Sequence, residues 1–220
     1  MKVLKQTMSV TVTSLLAYLI IPQYATAQSP ACSNQALLEA LRIIDRACKG
    51  GQCDFDELRA LDDRVGKREF LGALKNPELW ATHVFFPAND FRLEDSFDWH
   101  SFKRDQVASL ALMNKPESTA IFILGQASTT APEGSINGEG DDFNRRKSWN
   151  RMQSMLSFLR DDLKLPCKDF RVGWFGREIM QLEVGDAAWL GIPGQDYRSD
   201  RNVLNQAVHV FAFPCKELLD

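Results

Sequence analysis

Along residues 33–76 the apolar positions recur at helical spacing. Leu37, Leu38, Leu41 and Ile44 fall on one face, and the run stops at Cys48-Lys-Gly-Gly-Gln-Cys53. Asp54 is a suitable N-cap for the next turns, where Phe55, Leu58 and Leu61 again share a face. Phe70, Leu71 and Leu74 continue the pattern as far as Pro77. The spacing predicts a small helical unit, roughly an αα-hairpin with extra turns, over residues 28–81. Its apolar face predicts that it packs on the rest of the chain.

From about residue 82 the rhythm changes to an alternation of strands and helices, the mark of an α/β layer. His83 to Phe86 is a short apolar strand. Ser96 to Asn114 reads as a helix with Phe102, Val107, Leu110 and Ala111 facing inward. Ala120-Ile-Phe-Ile-Leu124 is continuously apolar, as a strand covered on both faces must be. A polar, glycine-bearing loop follows from Gln126 to about Asp142. The clearest helix comes next, about 144–164, with Met152, Met155, Leu156, Leu159 and Leu163 on one face. Residues 170–174 alternate as a third strand, and residues 208–213 form a fourth that ends at Pro214-Cys215. Between them, residues 177–204 are mixed, with one short helix expected near Asp186 to Leu190. Trp149, Trp174 and Trp189 are expected to pack rather than to present a binding platform.

The N-terminus changes the picture of where this fold works. Lys2 and Lys5 precede an uncharged apolar run from Val10 to Ile21, and Ala25-Thr26-Ala27 is a small-x-small cleavage site. Residues 1–27 therefore read as a signal peptide cleaved after Ala27. The apolar run is about half the ~20 residues a membrane-spanning helix needs. Cys32 follows Ser29-Pro30-Ala31, which lacks the apolar residue expected before a lipidated cysteine. The mature chain is expected to be soluble and exported, with no direct membrane span. Residues 28–81 are also too few for a preceding eight-stranded membrane barrel.

Cleavage removes two lysines and no acid, so a net charge of −3 becomes two units more negative. An acidic chain without basic clusters points away from nucleic acid as a partner. All five cysteines lie beyond the signal. In an exported protein they read first as disulfides. Cys48 and Cys53 are expected to close a short loop on themselves. Cys167 and Cys215 flank two strands, and if those strands are antiparallel the two cysteines lie at the same end of the sheet and can pair. Cys32 is then free or paired between molecules. No metal or other cofactor is expected, because no CxxC occurs and His83, His100 and His209 are scattered. No GxSxG, HExxH or Walker-type motif is present, so catalytic residues are not expected and the chain does not read as an enzyme.

Gly125 at the end of the second strand and Phe143-Asn144…Ser148…Arg151 at the start of the following helix resemble the C-terminal OmpA-like domain, the peptidoglycan-associating module of Gram-negative envelopes. Phe86 to Leu93 is similar to that family's first strand and the start of its first helix. Asn205 to Val210 is similar to its last strand. The resemblance covers about residues 82–213. It implies an α/β domain of order βαβα-β-β, with a mixed four-stranded sheet, over residues 82–220.

In that family the arginine at the position of Arg151 and an aspartate of the turn after the second strand hold the diaminopimelate of a peptidoglycan stem peptide. A guanidinium can grip the carboxylate with two parallel hydrogen bonds, while a carboxylate holds the ammonium. The resemblance makes Arg151, Asn144, Ser148, Ser128 and Asp142 the candidate peptidoglycan-binding residues. The chain departs from the pattern at the turn, where Gly125-Gln-Ala-Ser128 puts a serine in place of the aspartate. Asp141 or Asp142 are the candidate substitutes, and the same acids would equally complement the helix dipole. Asn144 and Ser148 suit ordering of the helix start. Losing one charged hydrogen bond costs about 1.5–3 kcal/mol, roughly tenfold to hundredfold in affinity. Two functions follow from the resemblance. One is a structural or interaction component of a periplasmic envelope assembly, such as a secretion system, with weakened wall affinity. The other is a working peptidoglycan anchor.

Overall fold

The computed structural model describes residues 30–74, 79–97, 99–100, 104–112, 116–128, 139–167, 169–177, 179–189 and 201–219. The expected signal segment and most of the long loop before the clearest helix lie outside the described residues.

Four strands carry the fold: β1 (Trp80–Phe85), β2 (Ala120–Gly125), β3 (Phe170–Trp174) and β4 (Ala207–Phe213). They form one mixed sheet in the order β1-β4-β2-β3. β4 runs antiparallel to both neighbours, and β2 pairs parallel with β3. The continuous apolar run of β2 is explained by its central place, with all six residues buried. The chain is thus an α/β protein built on a mixed four-stranded sheet.

Strand alternation sends Phe85, Phe122, Leu124, Phe211 and Phe213 to one face and Val84, Ile121, Ile123, Val208 and Val210 to the other. The three longest helices divide between these faces. α1 (Gln35–Ala47) and α2 (Lys67–Leu74) cover the phenylalanine face, and α3 (Glu139–Ser157) covers the aliphatic one. α1 starts at Asn34, whose Oδ1 accepts from the Leu37 amide at 3.0 Å. Its Leu37, Leu41 and Ile44 are fully buried in the same core as Phe122 and Phe211. Phe122 stacks on Phe211 at 5.2 Å between centroids, and Phe70 of α2 meets Phe211 edge-on at 6.4 Å. Arg171 on β3 adds ion pairs of 2.7 Å to Asp45 of α1 and to Asp169. The N-terminal helices therefore form a full layer of the core.

The cysteines correct the expected pairing. Cys48 and Cys53 are joined, but Cys215 is bonded to Cys32 and not to Cys167. Cys167 is a buried free thiol whose Sγ lies 3.1 Å from the Thr119 carbonyl. β3 and β4 do run antiparallel, so both cysteines lie at one end of the sheet. However, β2 stands between those strands, which separates them by about 9–10 Å in the plane of the sheet. Cys215 also belongs to the phenylalanine-face core and Cys167 to the opposite one. A disulfide spans about 4.4–6.8 Å between Cα atoms. Cys32 reaches Cys215 from the helical layer at 5.8 Å.

Two helices differ from the sequence pattern. α3 begins five residues before the expected Asn144, so Asp141 and Asp142 sit in its first turns, where acids favour the helix dipole. It ends in a wider turn at Phe158–Asp162. The stretch 96–114 is not one helix in its described parts. Arg104–Ala108 is helical and Ser109–Leu112 tightens to a 3-10 turn, while Val107 and Leu110 still point inward. Trp149 is also unlike the expectation, at 40% exposure, whereas Trp174 is buried.

Candidate functional site

α3 lies so close to β2 that a Cβ at Gly125 would overlap the Ser148 carbonyl and press on Met152. Glycine is required there by contact, and the approach sets the helix over the chain leaving β2. Asn144, Ser148 and Arg151 follow the i, i+4, i+7 rule and share one face of α3. All three are buried.

Arg151 is 2% exposed and among the largest fully buried side chains. Its Nε donates to the Asp90 carbonyl at 3.0 Å, and its Nη1 donates to the Gln126 carbonyl at 2.8 Å. The guanidinium carbon lies 5.3 Å from the centroid of Phe86. Burial pushes the Arg151 pKa down to about 10, against the pull of the Asp90 carboxylate. The side chain stays charged at neutral pH and braces two loops, the one after β1 and the one after β2.

Around it, Lys147 donates to the Asn89 carbonyl and stands 5.3 Å from the ring centroid of Phe91 and 5.4 Å from that of Phe143. Burial, and then the charge of Arg151, lower its pKa. Ser148 donates to the Arg145 carbonyl at 2.8 Å and accepts from the Gly176 amide at 3.1 Å. This serine ties α3 to the turn after β3. Asn144 is 3% exposed, and its Nδ2 has no partner among the described residues.

The other candidates do not join Arg151. Ser128 is buried and its Oγ accepts from Gln206 Nε2 at 3.2 Å. Asp142 is exposed and nine residues before Arg151 on a continuous helix, which places it about 13 Å away along the axis. Asp141 is one residue farther. The helix sets positions 141 and 142 well apart from Arg151 along its axis, whereas a clamp on one zwitterionic carbon needs its two charges side by side. The acid that does act on Arg151 is Asp90, from the loop after β1. Sequence reasoning missed it because nothing in Pro87-Ala-Asn-Asp90 marks it as a neighbour of Arg151, and only the fold brings it to α3.

No protein-family model matches this chain, and no curated protein matches it. Among solved structures, it is similar to the OmpA-like domain of FopA1 from Francisella tularensis subsp. tularensis SCHU S4. The identity is 20%, the TM-score 0.38, and the match covers 61% of this chain and 72% of that one.

Proposed function

We propose that the mature chain is a structural or interaction component of a Gram-negative cell envelope, exported to the periplasm and built on an OmpA-like scaffold whose arginine has turned inward. The observation that carries this reading is the burial of Arg151 on two backbone carbonyls. An arginine spent on bracing its own loops has little left for a stem peptide. The serine at position 128 and the remoteness of Asp142 support the same reading. Two disulfides fit an oxidising compartment. Among the described residues no helix is long and apolar enough to cross a membrane. The partners would be other envelope proteins, as in a secretion-type assembly, and the chain would do no catalysis.

A second reading, a working peptidoglycan anchor, has its own observation. Asn144 Nδ2 is a donor without a partner among the described residues, and Asp90 supplies a negative charge near Arg151. Co-sedimentation of the purified mature protein with insoluble peptidoglycan separates the two. The structural reading expects no retention above an unrelated periplasmic control. Retention that Arg151→Ala abolishes would establish the anchor instead.

A further inference from the structure

β3 is an edge of the sheet, and alternate residues along it turn their hydrogen-bonding groups away from β2. The Ile121 amide donates to the Asp169 carbonyl and the Phe175 amide to the Gly125 carbonyl, so residues 169, 171, 173 and 175 are the ones that bond to β2. The amides and carbonyls of Phe170, Val172 and Trp174 therefore point outward, and no backbone partner meets them among the described residues. Yet the strand is not open along its whole length. Phe170, Arg171 and Val172 are half-buried, whereas Gly173 and Trp174 are buried.

The cover over the buried end is the loop closed by the Cys48–Cys53 disulfide. Cys53 and Phe55 pack against both cores, which lie on opposite faces of the sheet, so this segment wraps round an edge. That edge is β3. A Cβ at Gly173 would lie 3.4 Å from Cys48 Sγ, and one at Gly176 would lie 3.5 Å from Phe55 Cε1. On the far side the Phe55 ring lies against the Arg145 guanidinium of α3, 4.1 Å from its centroid. The loop itself is held by its covalent closure more than by packing. Gly50 and Gly51 sit in open space, and a bond of 2.8 Å from the Asp54 amide to the Ala47 carbonyl ties the root.

We propose that the Cys48–Cys53 loop and Phe55 form a redox-operated clasp over the edge of β3, and that opening it lets β3 pair antiparallel with β3 of a second copy of this chain. A second copy fits because the outward groups are symmetric about Val172. In a two-fold pair Val172 faces its own copy and Phe170 faces Trp174, and each facing pair exchanges two backbone hydrogen bonds. On one face Phe170 and Trp174 form a cross-strand aromatic pair. On the other, Arg171 faces Gly173, which leaves room for its side chain, and its charge is already met by Asp45 and Asp169 at 2.7 Å. With the clasp closed, Trp174 is covered and cannot meet Phe170 at either end of the pair.

Reduction enters from the accessible side. Of the four bridged cysteines, Cys53 is half-buried, while Cys32, Cys48 and Cys215 are buried. A thiolate of a dithiol reductant attacks Cys53 Sγ, the Cys48–Cys53 bond breaks, and Cys48 leaves as a thiolate that takes up a proton. The second thiol of the reductant then displaces Cys53 as a thiol and closes the reductant's own disulfide. Two electrons and two protons have passed to the protein. The Cys32–Cys215 bridge, buried at both ends, stays closed. The clasp stands whatever Arg151 contacts.

Brief treatment of the mature protein with dithiothreitol, followed by alkylation and mass spectrometry, tests the order of opening. Cys48 and Cys53 are expected to be labelled while Cys32 and Cys215 remain bridged. Sedimentation of Cys48→Ser/Cys53→Ser, which opens the loop without freeing a thiol, is expected to give twice the mass of the oxidised wild type. Amide exchange at Phe170, Val172 and Trp174 should slow as it associates. Phe55→Ala bares the same edge with both disulfides intact and is expected to dimerise likewise, which keeps the test available if the serine variant does not fold. Adding Val172→Pro, at an amide that β2 does not use, is expected to return either variant to single chains. Folded variants that stay single, an oxidised wild type that already dimerises, a dimer whose three amides exchange as before, or prior opening of Cys32–Cys215 would overturn the proposal.

Discussion

A methyl group at Gly125 has nowhere to go, because the Ser148 backbone already occupies its place. Gly125→Ala must push α3 off β2, and we expect a loss of about 2–4 kcal/mol in urea unfolding. Arg151→Met keeps the volume but strands the Asp90 and Gln126 carbonyls in the interior. It should destabilise the fold by about 2–4 kcal/mol, and Arg151→Lys, which can reach only one of the two, by somewhat less. The spacing of Asn144, Ser148 and Arg151 is legible in the sequence, because helical periodicity alone puts them on one face. The partners of Arg151 are not, because they are backbone carbonyls. Every residue has one, and no spacing marks which of them the fold will present.

At the scale of elements, the chain's two layers are joined by contacts of long sequence separation. Cys32 and Cys215 are 183 residues apart. Nothing local in either cysteine's surroundings points to the other, and this is why the nearer geometry of Cys167 misleads. Replacing Cys32 and Cys215 together by alanine should lower stability by about 2–5 kcal/mol, measured by denaturant unfolding under non-reducing conditions. Cys167 should resist alkylation until the protein is unfolded, which mass spectrometry under non-reducing conditions can follow. The Lys67–Asp186 pair joins α2 to the segment after β3. Burial pushes the Asp186 carboxyl up, but the Glu183 amide and Lys67 outweigh it and hold the group below its ordinary value of 3.8. A depressed carboxyl contributes stability above that value and loses it as pH falls through the folded-state pKa. Lys67→Met should therefore reduce the loss of stability below about pH 4, by no more than about 1 kcal/mol for a partly exposed pair. The strands were legible to within a few residues because β2 is apolar throughout and β4 alternates. The stretch 96–114 was less so, since its inward residues satisfy a helical pattern even where the backbone tightens into short turns.

At the scale of the molecule, the N-terminal helices are as much part of the core as α3 is. The sequence pattern predicts that they pack, because they carry an apolar face. It does not reveal that they supply one whole side of the sheet, since an apolar face does not name its partner. This second layer covers the phenylalanine face of the sheet, while α3, with Arg151, covers the other. Arg151, bonded to the Asp90 and Gln126 carbonyls, braces the loops after β1 and β2. The most direct measurement is an NMR titration of the mature protein with a diaminopimelate-containing stem peptide, following the Arg151 Nε–H and Asn144 Nδ2 signals. The account predicts that both stay in place as peptide is added. A saturable shift of both signals, absent with a lysine-containing stem peptide, would contradict it.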